Sequence, residues 1–127
     1  MTESRILTTG IYDAIKEHVR RKKVNPEAEQ RLLEGLRFAK QVLRRELPED
    51  VVTVNTKIKV KDHNTGAVNE YILIGTNVKP KPTKQKYSIL SEIGLSTVGY
   101  KVGDVIEWPF DEGVKKIEIL EKVPVEL

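Results

Sequence analysis

The hydrophobic period of this chain changes once, near Pro48, and that change limits it to a helical piece followed by a β-rich piece. Before Pro48, Ile11, Ala14, Ile15, His18 and Val19 fall at i, i+3, i+4, i+7 and i+8, the stripe of one helix face. Thr8 or Thr9 is placed to cap that helix, which the pattern predicts over residues 10–23. Arg20-Arg21-Lys22-Lys23 then puts positive charge at its negative end. A second start follows at once. Asn25 is a favoured N-cap, Pro26 suits the first helical position, and Glu27 and Glu29 suit the first turn. The second stripe is Ala28, Leu32, Leu36, Ala39 and Leu43, with Leu33 and Val42 beside it, so this helix is predicted to run until Pro48 stops it. So short a link between two helices makes an antiparallel hairpin.

Beyond Val51 the apolar residues alternate. Val52, Val54, Ile58 and Val60 read as a strand, Asp62 to Gly66 as a turn, and Val68 to Ile74 as the hairpin partner. Residues 79–86 form a basic loop broken by proline. A short strand is expected at 87–90, a short helix capped by Ser91 and ended by Gly99, and two further strands at 105–108 and 114–120. The expected fold is α+β: a helical hairpin over residues 1–47, then an antiparallel β-sheet domain with one short helix over residues 48–127.

The chain has 127 residues, the size of one domain or one domain with a small attachment. It has no cysteine, which excludes disulfides, thiolate metal sites and a cysteine nucleophile. No apolar run approaches the roughly 18 residues of a membrane span. The first residues lack a signal-peptide core. A soluble cytoplasmic protein is expected. The net charge is +3, with 11 bases against 9 acids in residues 1–50 and 11 against 10 in residues 51–127. That balance argues against tight autonomous binding to nucleic acid.

From Leu47 onward the motifs become specific. Leu47 to Val60, Glu70-Tyr-Ile-Leu-Ile-Gly75 and above all Tyr87-Ser-Ile-Leu-Ser-Glu-Ile-Gly-Leu-Ser-Thr-Val-Gly-Tyr-Lys-Val-Gly-Asp104 resemble the C-terminal domain of the GreA/GreB transcription elongation factors. Ser91, Gly94, Gly99, Gly103 and Asp104 fall on the family pattern; Glu92 stands in place of its proline and Ser96-Thr97 in place of Ala-Leu. The short hairpin is most similar to the Rnk-type members. The resemblance implies an FKBP-like sheet domain. It also implies a partner, RNA polymerase, held through the largest-subunit coiled coil at the rim of the secondary channel. On that basis Ser91, Glu92, Ile93 and Gly94, with Tyr100 nearby, are the candidate polymerase-docking residues. An exposed turn entering a helix with an apolar Ile93 suits a small protein patch, although Ile93 would serve equally as core.

In cleavage factors of this family, acidic residues at the tip of a long coiled coil help hold Mg²⁺ beside the polymerase's carboxylates. Here the tip carries Lys22, Lys23, Asn25, Glu27 and Glu29. The two glutamates have the right residue type, but they equally complement a helix dipole. A first helix of residues 10–23 reaches only about 20 Å. The expectation is therefore a non-enzymatic regulator that modulates elongation or competes with other channel factors, with no cofactor or metal. Transcript cleavage through the tip carboxylates is the alternative. His18 and His63, the only histidines, lack ligand spacing, and Ser88, Ser91 and Ser96 lack a histidine base. Trp108 and Phe110 read as packing residues. Lys79, Lys81, Lys84 and Lys86 are candidate phosphate contacts, which keeps a stand-alone nucleic-acid module open. An FKBP-type isomerase is disfavoured by the scarcity of aromatics.

Overall fold

The computed structural model describes residues 5–125. Strand β1 (Ile6–Thr8) leads directly into helix α1 (Thr9–Arg20), and helix α2 (Pro26–Phe38) returns antiparallel to it. Asn25 caps α2 as its residue type requires, its side-chain oxygen accepting from Ala28 N at 2.8 Å. Thr8 precedes α1 in extended conformation without a side-chain capping bond. The buried residues of the pair are Ile11, Ile15 and Val19 on α1 and Ala28, Leu32 and Leu36 on α2.

Helix α2 ends at Phe38, nine residues before the end at Leu47 expected from Pro48. Ala39 turns extended and strand β2 (Lys40–Val42) pairs in parallel with β1, where Lys40 N donates to Arg5 O at 2.8 Å. Pairing with a distant strand here overrides helical propensity. A 3-10 turn at Arg44–Glu46 follows, closed by the Glu46 carboxylate on Leu43 N. Leu43, assigned to the stripe from sequence, and Leu33 beside it are exposed.

The second region is a five-stranded sheet of β3 (Thr56–Asp62), β4 (Val68–Ile74), β5 (Lys86–Ser88), β6 (Val105–Phe110) and β7 (Gly113–Pro124), in the order β5-β4-β3-β7-β6. It is mixed rather than wholly antiparallel, because the long connection after β4 brings β5 back alongside it in parallel. Helix α3 (Glu92–Thr97) crosses from β5 towards β6. The alternation read from sequence holds from Thr56 onward, while Val52 and Val54 precede the strand. Thr56, Ile58 and Val60 are buried on the inner face, while Lys57, Lys59 and Lys61 lie on the outer one.

A single core joins both regions. The helical stripe packs with Ile58, Leu73, Ile106, Trp108, Ile117 and Ile119 of the sheet. Full burial of each such side chain contributes about 1.5–3 kcal/mol. The junction is fixed by Arg5, which is 1% exposed. Its guanidinium donates to Leu95 O at 2.6 Å and Val98 O at 3.0 Å, the carbonyl end of α3, and lies 4.6 Å above the Tyr100 ring. A cation at a helix C-terminus is electrostatically favoured. Ile6 N also donates to Gly99 O at 3.0 Å. Gly99 has φ +90°, and a Cβ there would lie 2.7 Å from Leu7 Cδ2, so both conformation and space demand glycine. No helix among the described residues is long and apolar enough to cross a membrane.

Candidate functional site

Helix α3 is built for close approach. Ser91 caps it, its hydroxyl donating to Ser88 O at 2.6 Å and accepting from Gly94 N at 3.3 Å. Gly94 lies against the preceding turn so tightly that a Cβ would sit 2.6 Å from Ser88 O. The two polar residues Ser96 and Thr97 are fully buried, yet their hydroxyls donate to Ile93 O at 2.9 and 2.7 Å. Back-bonding to the preceding turn is how a hydroxyl is accommodated inside a core.

Beside α3 an open cleft of about 400 Å³ lies over the inner face of the sheet. Its apolar lining is Val60, Tyr71, Tyr87, Ile93, Phe110 and Ile117. The Tyr71 and Tyr87 rings meet edge to face, 5.5 Å between centroids. Burial, and next the neighbouring Tyr87, raise the Tyr71 hydroxyl above its ordinary pKa, so it remains a neutral phenol. The rim is mostly acidic: Asp62, Glu92 and Glu112 face one base, Lys115, which lies 3.3 Å from Glu112 and over the Phe110 ring. An apolar floor with a few polar groups at its edge is the usual form of a recognition pocket.

Of the docking residues expected from sequence, Ser91, Glu92 and Ile93 all line this cleft, and Gly94 sets the helix behind them. Ile93 serves both readings, being half-buried against the core and open to the cleft. Tyr100 is not on this surface. It is buried under Arg5, because the strand β1 covers it. The cleft's aromatic residues were missed as a group. Tyr71 and Leu73 share one face of β4, but only the parallel return of β5 brings Tyr87 beside Tyr71.

The hairpin tip is seated on the sheet domain rather than held out from it. Asn25 Nδ2 donates to Pro109 O at 3.1 Å and to Asp111 Oδ1 at 2.8 Å. Asp111 N in turn donates to Glu92 Oε2 at 2.7 Å. The tip is thus connected through one turn to the rim of the cleft. Lys22 lies 3.2 Å from the Glu29 carboxylate, while Lys23 and Glu27 are exposed. His18 borders the crevice beneath the tip, and burial, then the charge of Lys23, lowers its pKa. His63 lies 2.8 Å from Glu118 on the far side of the sheet. Lys79, Lys81, Lys84 and Lys86 lie around a 3-10 turn at the β5 edge, away from both tip and cleft.

The family model described as "Transcription elongation factor, GreA/GreB, C-term" matches residues 47–122, well over half of the chain. The chain belongs to the GreA/GreB family. It is 41% identical over 86 residues to a protein named Transcription elongation factor GreA from Clostridium botulinum, covering 68% of this chain and 53% of that protein. Against the protein of the same name from Clostridium beijerinckii it is 43% identical over 75 residues, 59% of this chain and 46% of that protein. The chain therefore spans about half the length of these GreA relatives. A solved structure described as a prokaryotic transcription elongation factor GreA/GreB from Nitrosomonas europaea superposes with a TM-score of 0.66 at 22% identity, covering 96% of this chain and 99% of that one, which establishes likeness of fold. Glu92 and Ser96-Thr97, the departures from the GreA/GreB pattern, thus have local roles here: one carboxylate holds the β6–β7 turn, and two hydroxyls are absorbed by α3.

Proposed function

We propose that this GreA/GreB-family chain is a regulator of the bacterial cytoplasm that binds RNA polymerase through the cleft beside α3, docking on the largest-subunit coiled coil at the secondary-channel rim. Bound there, it modulates elongation or excludes other channel factors. It is not an enzyme in its own right. The observation that carries this reading is the coincidence of the family's Ser91–Gly94 motif with an aromatic-lined cleft of about 400 Å³. The acidic rim suits a partner segment that carries an apolar side chain beside a base.

The seating of the tip supports the regulator over the cleavage alternative. Asn25 holds the tip to Asp111 and Lys22 engages Glu29, which leaves Glu27 as the one tip carboxylate open to project towards a Mg²⁺. The short hairpin supports likeness to the Rnk-type members.

The test is binding of the purified chain to core RNA polymerase, in competition with a cleavage-competent GreA. Binding that displaces the competitor is expected. Ile93→Asp, which places a charge on the cleft floor, and Glu92→Lys, which reverses the rim, should each weaken it by at least tenfold while the circular dichroism spectrum is kept. Absence of binding by the folded wild type overturns the reading. Strong stimulation of transcript hydrolysis would restore the cleavage alternative.

A further inference from the structure

The near-balance of charge over the whole sequence conceals a local separation. Between Glu70 and Glu92 there is no acidic residue, and that stretch contains Lys79, Lys81, Lys84 and Lys86. On the outer face of the sheet a fifth lysine joins them. Lys57 on β3 is in register with Ile72 on β4, which is in register with Lys86 on β5. Lys57 and Lys86 therefore share one face, two strands apart, with their backbone roots about 10 Å from each other.

Elsewhere on this face the bases have acids opposite or beside them. Lys59 lies 3.4 Å from Glu121, Lys61 is in register with Glu118, and Lys116 with Glu107. Among the described residues, none of the five edge lysines has an ion pair. The loop that carries three of them is pinned. Lys81 and Lys86 exchange both backbone hydrogen bonds, at 2.9 and 3.0 Å, across the turn Pro82–Lys84, and Gln85 closes it at φ +60°. Ile72 N donates to Gln85 O at 2.8 Å, fastening the turn to β4. Such a loop loses little entropy when its side chains are engaged.

We propose that Lys57, Lys79, Lys81, Lys84 and Lys86 form a contact surface for the phosphodiester backbone of nucleic acid. All five are lysines, which bind phosphate as point charges on flexible stems and so make contacts without a fixed two-pronged geometry. The surface offers no stacking platform. Tyr71 and Tyr87 lie on the opposite face, lining the cleft, so the contact is independent of base sequence. The cleft and this edge present opposite charge, which lets one small domain hold a protein on one side and a nucleic-acid strand on the other.

The test needs no polymerase, so its outcome is separate from that of the docking reading. The full chain is titrated into a fluorescein-labelled single-stranded oligonucleotide, and anisotropy is followed between about 20 and 200 mM salt. A weak affinity is expected, with log K falling against log salt at a slope of about −2 to −3.5, as three to five phosphate contacts would give on a single strand. Changing Lys57, Lys81 and Lys84 together to Gln should reduce that slope in magnitude by about 2. Changing the exposed Lys16, Lys40 and Lys101 to Gln removes the same net charge elsewhere and should leave it within error. No binding by the wild type at the lowest salt, an unchanged slope in the edge variant, or an equal loss in the control variant would each overturn the proposal.

Discussion

The side-chain amide of Asn25 joins two parts of the molecule 86 residues apart: its oxygen caps α2 while its nitrogen donates to the Asp111 carboxylate at 2.8 Å. Asn25→Ala removes these two bonds and the one to Pro109 O, and should cost about 1–2 kcal/mol in urea unfolding. Asn25→Asp is the more telling change. It keeps a good cap but sets two carboxylates together, so helix content should persist while amide exchange accelerates at the tip and across residues 109–112. Unchanged exchange there would show that the tip is held by packing alone.

Gly94→Ala should destabilise the fold by about 2–3 kcal/mol, because the new methyl meets backbone carbonyls that cannot move aside. Gly10→Ala is its counterpart. Gly10 lies in the first turn of α1 with nothing near the methyl position, and the change should stabilise by about 0.4–1 kcal/mol. Thermal melts of the two variants should move in opposite directions.

Arg5→Met leaves the buried carbonyls of Leu95 and Val98 without this donor, and a loss of about 2–4 kcal/mol is expected. Because those carbonyls end α3, the same variant should bind polymerase less well even where it remains folded. Arg5→Lys should recover part of the stability. It restores the charge without the reach of the guanidinium.

His18 supplies a pH dependence of definite sign. Burial lowers its folded pKa below the ordinary 6.5, so the unfolded chain takes up the proton first. Its contribution is present above that unfolded value and is lost as pH falls below it and through the lower folded pKa. Glu17, held at about 2 by its hydrogen bonds to Arg20 and then Arg21, titrates well below this window. Urea midpoints should drop between about pH 7.5 and pH 5.5 in the wild type, and by less in His18→Gln. Glu92, Asp111 and Lys23 also border the crevice, so the comparison with His18→Gln isolates the imidazole.

The local signals were the most legible part of the sequence. Asn25 with Pro26, and Ser91 before Glu92, marked helix starts through their own side-chain chemistry, and the alternation in β3 gave its buried face. What the sequence concealed depends on partners distant in the chain. The three residues of β1 are too few to show a period. Residues 39–43 read as a continuing helix because their apolar spacing fits one, and only the pairing of Lys40 with Ile6 decides otherwise. The docking motif was legible through its glycines and Ser91, but the cleft needed Tyr71, Tyr87, Ile93 and Phe110 from separate elements. Tyr100, adjacent to the motif in sequence, is turned inward because Gly99 accepts the strand that covers it.

The bond from Arg5 to Val98 spans 93 positions of the chain, and this has a bearing on synthesis. Translation delivers Arg5 and the β1 strand roughly ninety residues before their hydrogen-bond partners at Leu95, Val98 and Gly99. The hairpin can form helices early, but its apolar stripe has no sheet to cover it until β6 and β7 emerge. Final docking of the hairpin must therefore wait until β6 and β7 have emerged, and until then a nascent chain exposes a greasy, unprotected surface to chaperones and to its neighbours on the same message.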